Sequence, residues 1–378
     1  MGNVRSDYGL LEAVHDLAGR SAGLWLLFAM GCGGDSQAIA VDESGSTTTS
    51  SADSSVGPTE TSSVGDLSTD GMTGLGSTSS SDGTGSGTTV VDESSSSGES
   101  GAAFPECPSF AIGVNLGLVA DGAIVETSGL AASRAHDGVL WLHNDSGDSA
   151  RAFAINSDGV LLGELPIGGA LALDWEDMSL GPGPAAGVDY LYFGDIGDNF
   201  MFRPFVTAYR VPEPDPALLD GPEVATAINL HFPDGPHDAE TLMSDPTTGD
   251  LYIVSKVASG QSGVYRAAFP QTVGMTNELE LVASLSFGVD PLPGSPLVTG
   301  GDFAPDGSLV VLRTYSSVFA WRRTAALTVG EAFATEPCEL PVSDEPGGEA
   351  VAVGSTGYYT VSEGAMVPVW HFEATDGG

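Results

Sequence analysis

From residue 104 onward the chain alternates short apolar runs, rich in β-branched and aromatic residues, with clusters of Gly, Pro, Asp and Asn. No stretch sustains a 3.6-residue period, so the pattern predicts an all-β fold. It also repeats. Five units begin near Glu126, Asp174, Asp238, Gly300 and Gly347, each reading as a small-residue strand, a turn, a strongly apolar strand, a polar turn and a third strand. Between them "LLGELPI", "ATAINLHF", "LELVASLSF" and "FATEPCEL" read as fourth strands. Four strands per unit at a spacing of roughly 50 residues is the signature of a β-propeller. The last unit runs out of chain after its third strand, while "SFAIGVNLGLV" at residues 109–119 stands spare before the first. Supplying that strand to the last blade closes a ring of five. A sixth blade follows only if the Pro- and acid-rich insert at 210–224 hides further strands.

The chain ahead of the repeats has a different character. Residues 33–103 are almost all Ser, Thr, Gly and Asp, with Val, Leu, Ala and Met scattered among them and no aromatic, a composition that buries too little apolar surface to offset the entropy of ordering and is expected to form a disordered linker. Residues 1–32 end in "SAGLWLLFAMGC", an apolar run of about ten residues, too short to span a bilayer and of signal-peptide length. With Gly31 before Cys32 it resembles a bacterial lipoprotein signal, which implies lipid on Cys32. Asp7, Glu12 and Asp16 make the first twenty residues less basic than a signal requires, and a true start near Val14 accounts for this. "MGNVRS" also matches a myristoylation pattern, which the lipobox and Ser/Thr stalk outweigh. The expected domains are thus 1–32 (signal and lipobox), 33–103 (linker) and 104–378 (propeller).

The expected location is extracytoplasmic, at the outer membrane or cell surface, with membrane contact through the lipid alone. In that oxidising setting Cys107 and Cys338 are expected to form a disulfide; two separate buried thiols are the alternative. The formal net charge is -40 for the chain and −28 from residue 104 onward. Such a surface repels nucleic acid and attracts cations. The chain is expected to be a monomer whose partner is a small ligand or an envelope protein.

Antiparallel pairing puts the start of a first strand and the end of a second on one face of a propeller. That face is expected to gather the acids that open the units, among them Asp174, Glu176, Asp177, Glu240, Asp302 and Glu349. It also gathers the "Asp-x-Gly-Asp" hooks Asp145 with Asp148 and Asp195 with Asp198. Converging carboxylates raise one another's pKa unless a cation neutralises them, and hard oxygen donors suit Ca²⁺. Of these, Asp145, Asp148, Glu176, Asp177, Asp195, Asp198, Glu240, Asp302 and Glu349 are the predicted metal ligands, and Asp174 shares the face without being counted among them. The competing reading is that Asp and Asn stand there as turn residues. Lys256, the chain's single lysine, occupies the hook position of the third unit, and Arg313 with Tyr315 that of the fourth. Together with His143, His237 and Glu363 they are the predicted ligand-binding residues; salt bridging within the ring is the alternative for Lys256 and Arg313. No zinc motif, Gly-x-Ser-x-Gly elbow or phosphate loop occurs.

"DAETLMSDPTTGDLYIVSK" and "GGEAVAVGSTGYYTVSEG" resemble the blade motif of bacterial extracytoplasmic propellers of the phytase-like and esterase-like group. The resemblance implies a calcium-bound acidic channel and, in catalytic members, phosphate-ester hydrolysis. It implies that Glu176, Glu240 and Glu349 occupy the inner-strand acid position, which Ser128 or Glu126 and Asp302 match less closely. That group usually has six blades, against five counted here. Three functions follow as expectations: a tethered propeller binding a divalent cation and a ligand, a calcium-dependent phosphoesterase or esterase, and an interaction module of the cell envelope without a small ligand.

Overall fold

The computed structural model describes residues 106–288 and 296–375. The signal and lipobox, Cys32 and the linker at 33–103 lie outside them. The described chain is a five-bladed β-propeller.

Blade 1 is built from Thr127–Ala132, Val139–Asn144, Arg151–Asn156 and Leu161–Gly168, numbered from the axis outward. Blade 2 follows with Trp175–Pro182, Asp189–Asp195, Val206–Pro212 and Thr226–His231. Blade 3 has Ala239–Ser244, Leu251–Ser255, Gln261–Ala267 and Glu280–Ser286. Blade 4 has Val298–Phe303, Leu309–Thr314, Val318–Arg322 and Cys338–Leu340. Blade 5 takes Gly348–Val353, Gly357–Ser362 and Val367–Glu373 from the end of the chain, and its outer strand Val114–Val119 from before the first blade. That closing strand pairs antiparallel with Val367–Glu373, from Val114 opposite His371 to Val119 opposite Val367.

The insert at 210–224 contributes no sixth blade. It makes a 3-10 turn at Pro216–Leu218 and the short strand Glu223–Val224, which adds in parallel to the edge of blade 1. Thr276–Glu278 likewise adds in parallel to the edge of blade 2. The one α-helix among the described residues is Val329–Phe333. It is started by a capping box in which Thr328 and Glu331 satisfy each other's backbone amides, a signal too short for periodicity to reveal. No described helix is long and apolar enough to cross a membrane.

The continuous apolar runs of the second strands follow from packing on both faces. Five hydrophobic clusters lie one between each neighbouring pair of blades. In blade 1, Trp141 faces blade 2 while Leu140 and Leu142 face blade 5, so alternation of direction persists without alternation of polarity. The innermost strands use small residues because the five converge at the axis. A Cβ on Gly129 would come within 2.6 Å of the Met178 amide of blade 2, and one on Gly300 within 2.8 Å of the Glu349 carbonyl of blade 5. Cys107, just ahead of the closing strand, is disulfide-bonded to Cys338 on the outer strand of blade 4.

Candidate functional site

Every blade carries the same irregularity at the same place. The pairing of first and second strands shifts register between Thr127 and Gly129, Trp175 and Asp177, Ala239 and Thr241, Val298 and Gly300, and Gly348 and Ala350. The extra residue at these bulges is Ser128, Glu176, Glu240, Thr299 or Glu349. A bulge re-aims its residue away from the regular pleat; here Ser128, Glu176, Glu240 and Glu349 line a single pocket of about 210 Å³ at the mouth of the ring. Thr299 instead donates its hydroxyl to the Gly348 carbonyl of blade 5 at 2.9 Å.

A second ring of positions faces the first. After each second strand, one backbone amide donates to the residue that opens the blade: Asp145 to Glu126, Ile196 to Asp174, Lys256 to Asp238, Tyr315 to Leu297 and Glu363 to Gly347. Asp145, Lys256, Tyr315 and Glu363 line the pocket, whereas Ile196 turns into the core between blades 2 and 3. The two hooks are therefore one residue out of register with each other, since the equivalent of Asp145 is Ile196 and not Asp195. Asp174 supplies the blade 2 carboxylate in its place.

Asp145, Asp174 and Glu176 each offer an oxygen within 4.8 Å of the others. Two oxygens bound to one ion at 2.3–2.6 Å lie at most about 5 Å apart, so one metal ion could be held among the three. The whole lining carries six carboxylates, from Asp145, Asp174, Glu176, Glu240, Glu349 and Glu363, against one lysine. Lys256 is committed to Glu240 and donates to the Tyr315 hydroxyl at 2.9 Å. Burial opposes the Lys256 charge, but Glu240 and Tyr315 outweigh it and hold the ammonium above the ordinary lysine range.

Burial, with charge crowding added to it, shows in the titration of the acids. Burial, then Asp145 and Asp238, push Asp174 up to about 6. Burial and then Glu240 push Glu349 up to about 9, and burial drives Glu240 to about 7 against the pull of Lys256. Glu176 lies well above the usual carboxylate range, through burial first and then Glu240, Asp145 and Asp174. Glu176 and Glu349 are 5% and 8% exposed as whole residues, and neither carboxylate accepts a hydrogen bond from a described residue.

The other predicted ligands have protein partners. Asp148 holds Arg151 at 2.8 Å and Asn144 at 2.8 Å. Asp195 pairs with Arg203 at 2.9 Å and accepts the Asp174 amide at 3.1 Å. Asp198 accepts the Arg203 amide at 2.7 Å on one oxygen, while its other oxygen is buried without a partner. Asp177 accepts amides from Met178 at 2.8 Å, Leu242 of blade 3 at 3.0 Å and Gly301 of blade 4 at 3.3 Å. Asp302 accepts those of Phe303 at 2.8 Å and Val353 of blade 5 at 2.9 Å. Asp177 and Asp302 are thus ties between blades and do not line the pocket.

Three predicted ligand-binding residues also stand elsewhere. His143 is buried against Trp175 with Nδ1 donating to the Asn144 carbonyl at 2.8 Å, and burial lowers its pKa. His237 sits 2.9 Å from Asp234 and 3.0 Å from the Tyr265 hydroxyl. Arg313 forms a buried pair with Glu345 at 3.3 Å and donates to the Ala350 carbonyl at 3.1 Å. Lys256, Tyr315 and Glu363 are the predicted ligand residues that reach the pocket. A larger cavity of about 940 Å³ opens between blades 3 and 4 at the opposite end of the inner strands. Its two arginines are taken up by acids, Arg323 by Asp245 and Arg266 by Asp250, both at 2.7 Å, and its other acids have local partners, Glu280 in Arg266, Asp306 in the Ser308 amide and Glu331 in the Thr328 amide.

No protein-family model matches the chain, and no curated protein matches it.

Proposed function

We propose that this protein binds a divalent cation, calcium by the hardness of its oxygen donors, at Asp145, Asp174 and Glu176, and a small polar ligand beside it in the mouth pocket. Held outside the cytoplasm by lipid on Cys32, it acts as a surface binding protein. One observation carries the reading: three carboxylates from two blades share oxygens within 4.8 Å in a pocket with six acids and a single lysine. A bound ion offsets the burial, and then the mutual repulsion, that raise the pKa values of Asp174 and Glu176. Glu176 then gains the partner that the protein itself does not supply.

Phosphate-ester hydrolysis is less well supported. Its substrate would enter a pocket whose one ammonium is already engaged by Glu240 and whose remaining charge repels phosphate. Calorimetry of the full chain, stripped with a chelator and titrated with CaCl₂, is expected to show one site and a raised melting temperature. Asp174→Asn should abolish both. Binding that survives in Asp174→Asn, or no binding in the parent chain, would overturn the assignment.

A further inference from the structure

We propose that the rim of the mouth is a docking surface for an extended peptide that carries a lysine or arginine between apolar residues. The loop after the second strand of blade 2 places Phe200, Met201 and Phe202 in solvent, 85%, 60% and 72% exposed. Leu171 and Leu173, on the loop that enters the same blade, are also exposed. The two loops are joined where the Ile196 and Gly197 amides donate to the Asp174 carbonyl. Three consecutive large apolar residues held in water mark an interaction site more often than an accident of surface composition.

The loop is held in shape. Arg203 pairs with Asp195 and donates to the Gly197 carbonyl at 2.7 Å, and its own amide donates to Asp198 at 2.7 Å. The Met201 amide donates to the Asp198 carbonyl at 2.7 Å, and Met201 adopts a left-handed φ of 51°. A non-glycine residue resists that conformation by about 1–2 kcal/mol, so the surroundings impose this tip. It is presented ready-formed, which lowers the ordering cost of a contact.

Position and charge select the occupant. Asn199, one residue before the tip, lines the pocket beside Asp145, Glu349 and Glu363, so whatever covers the phenylalanines also overhangs the acids. A basic side chain flanked by apolar ones satisfies both features. A second copy of this chain would bring a net charge of -40 against -40, and an anionic bilayer is repelled for the same reason. The surface lies beside the cation site and does not depend on an ion being bound there.

Fluorescence anisotropy with the full chain in CaCl₂ tests this. The probe is a labelled peptide Gly-Phe-Leu-Lys-Leu-Phe-Gly, compared with a version carrying Glu for Lys and one carrying Ser for each apolar residue. The lysine peptide is expected to bind, and both altered peptides to bind at least tenfold more weakly. The double variant Phe200→Ser, Phe202→Ser should lose at least tenfold in affinity while keeping the calcium-induced rise in melting temperature, which separates this surface from the cation site. No binding of the lysine peptide, equal binding by the double variant, or equal binding of the glutamate peptide would each overturn the proposal. So would co-sedimentation with phosphatidylcholine or phosphatidylglycerol vesicles that the double variant loses, because the tip would then be a lipid contact.

Discussion

Glu349 enters the folded protein largely buried, with its side chain lining the mouth pocket and no described donor to meet its carboxylate. Its pKa rises from the ordinary 4.5 to about 9, through burial and then the charge of Glu240. The sign follows from linkage: an acid whose folded pKa is raised binds more protons folded than unfolded. Its favourable contribution is therefore complete below pH 4.5 and is lost as pH climbs toward 9. Glu240, raised to about 7, adds a loss of the same sign over a narrower window. Chelator-stripped protein should accordingly melt at a lower temperature at pH 8.5 than at pH 5.5. Each pKa unit corresponds to about 1.4 kcal/mol, or about 3 °C or more in a domain of this size. Glu349→Gln should flatten much of that slope, and saturating CaCl₂ should flatten it in the parent chain by neutralising the neighbouring acids. Scanning fluorimetry across this pH range decides the matter, and a level profile in stripped protein would contradict the crowding described for the pocket.

At the scale of the strand, one inserted residue per blade determines which side chains face the mouth. Without the bulge, Glu176 and Asp177 would simply alternate across the strand. With it, Glu176 reaches the pocket while Asp177 binds amides of blades 2, 3 and 4. Asp177→Ala should leave those buried N–H groups unsatisfied and cost about 2–4 kcal/mol; urea denaturation would measure it, and the calcium response of the folded fraction should persist. Loss of that response with little loss of stability would return Asp177 to the ligand set. The strands, their order and the closing strand were legible because apolar runs and turn residues record burial and chain reversal directly. The bulges were not, because a single extra residue leaves no periodic trace. For that reason "DSGD" and "DIGD" look equivalent while their backbones are offset by one, which turns Asp195 toward Arg203 and leaves Asp174 to complete the trio. The resemblance-based alignment of Glu176, Glu240 and Glu349 fell on the bulge positions because a buried acid two residues into a strand is rare enough to stand out. Asp302, which it also offered, lies three residues past the bulge of its blade.

Over the whole molecule, five blades can hold their shared hydrophobic layers only while the ring stays closed, and two devices from the chain ends close it. The strand Val114–Val119 completes blade 5, and the Cys107–Cys338 bridge, across a sequence separation of 231, fastens its leading residues to blade 4. A net charge of -40 opposes compaction throughout, so the covalent closure acts against a standing repulsion. Constraining an unfolded loop of that length is worth up to about 5 kcal/mol in the chain-entropy account. The double variant Cys107→Ser, Cys338→Ser should therefore melt about 10 °C or more below the parent, with a larger deficit in low salt, where the repulsion is least screened. The cation trio draws only on blades 1 and 2, whereas the bridge joins the outer parts of blades 4 and 5. Calcium affinity measured well below the melting range should thus be unchanged in the double variant. A parallel fall in affinity would show instead that closure of the ring sets the spacing of Asp145, Asp174 and Glu176.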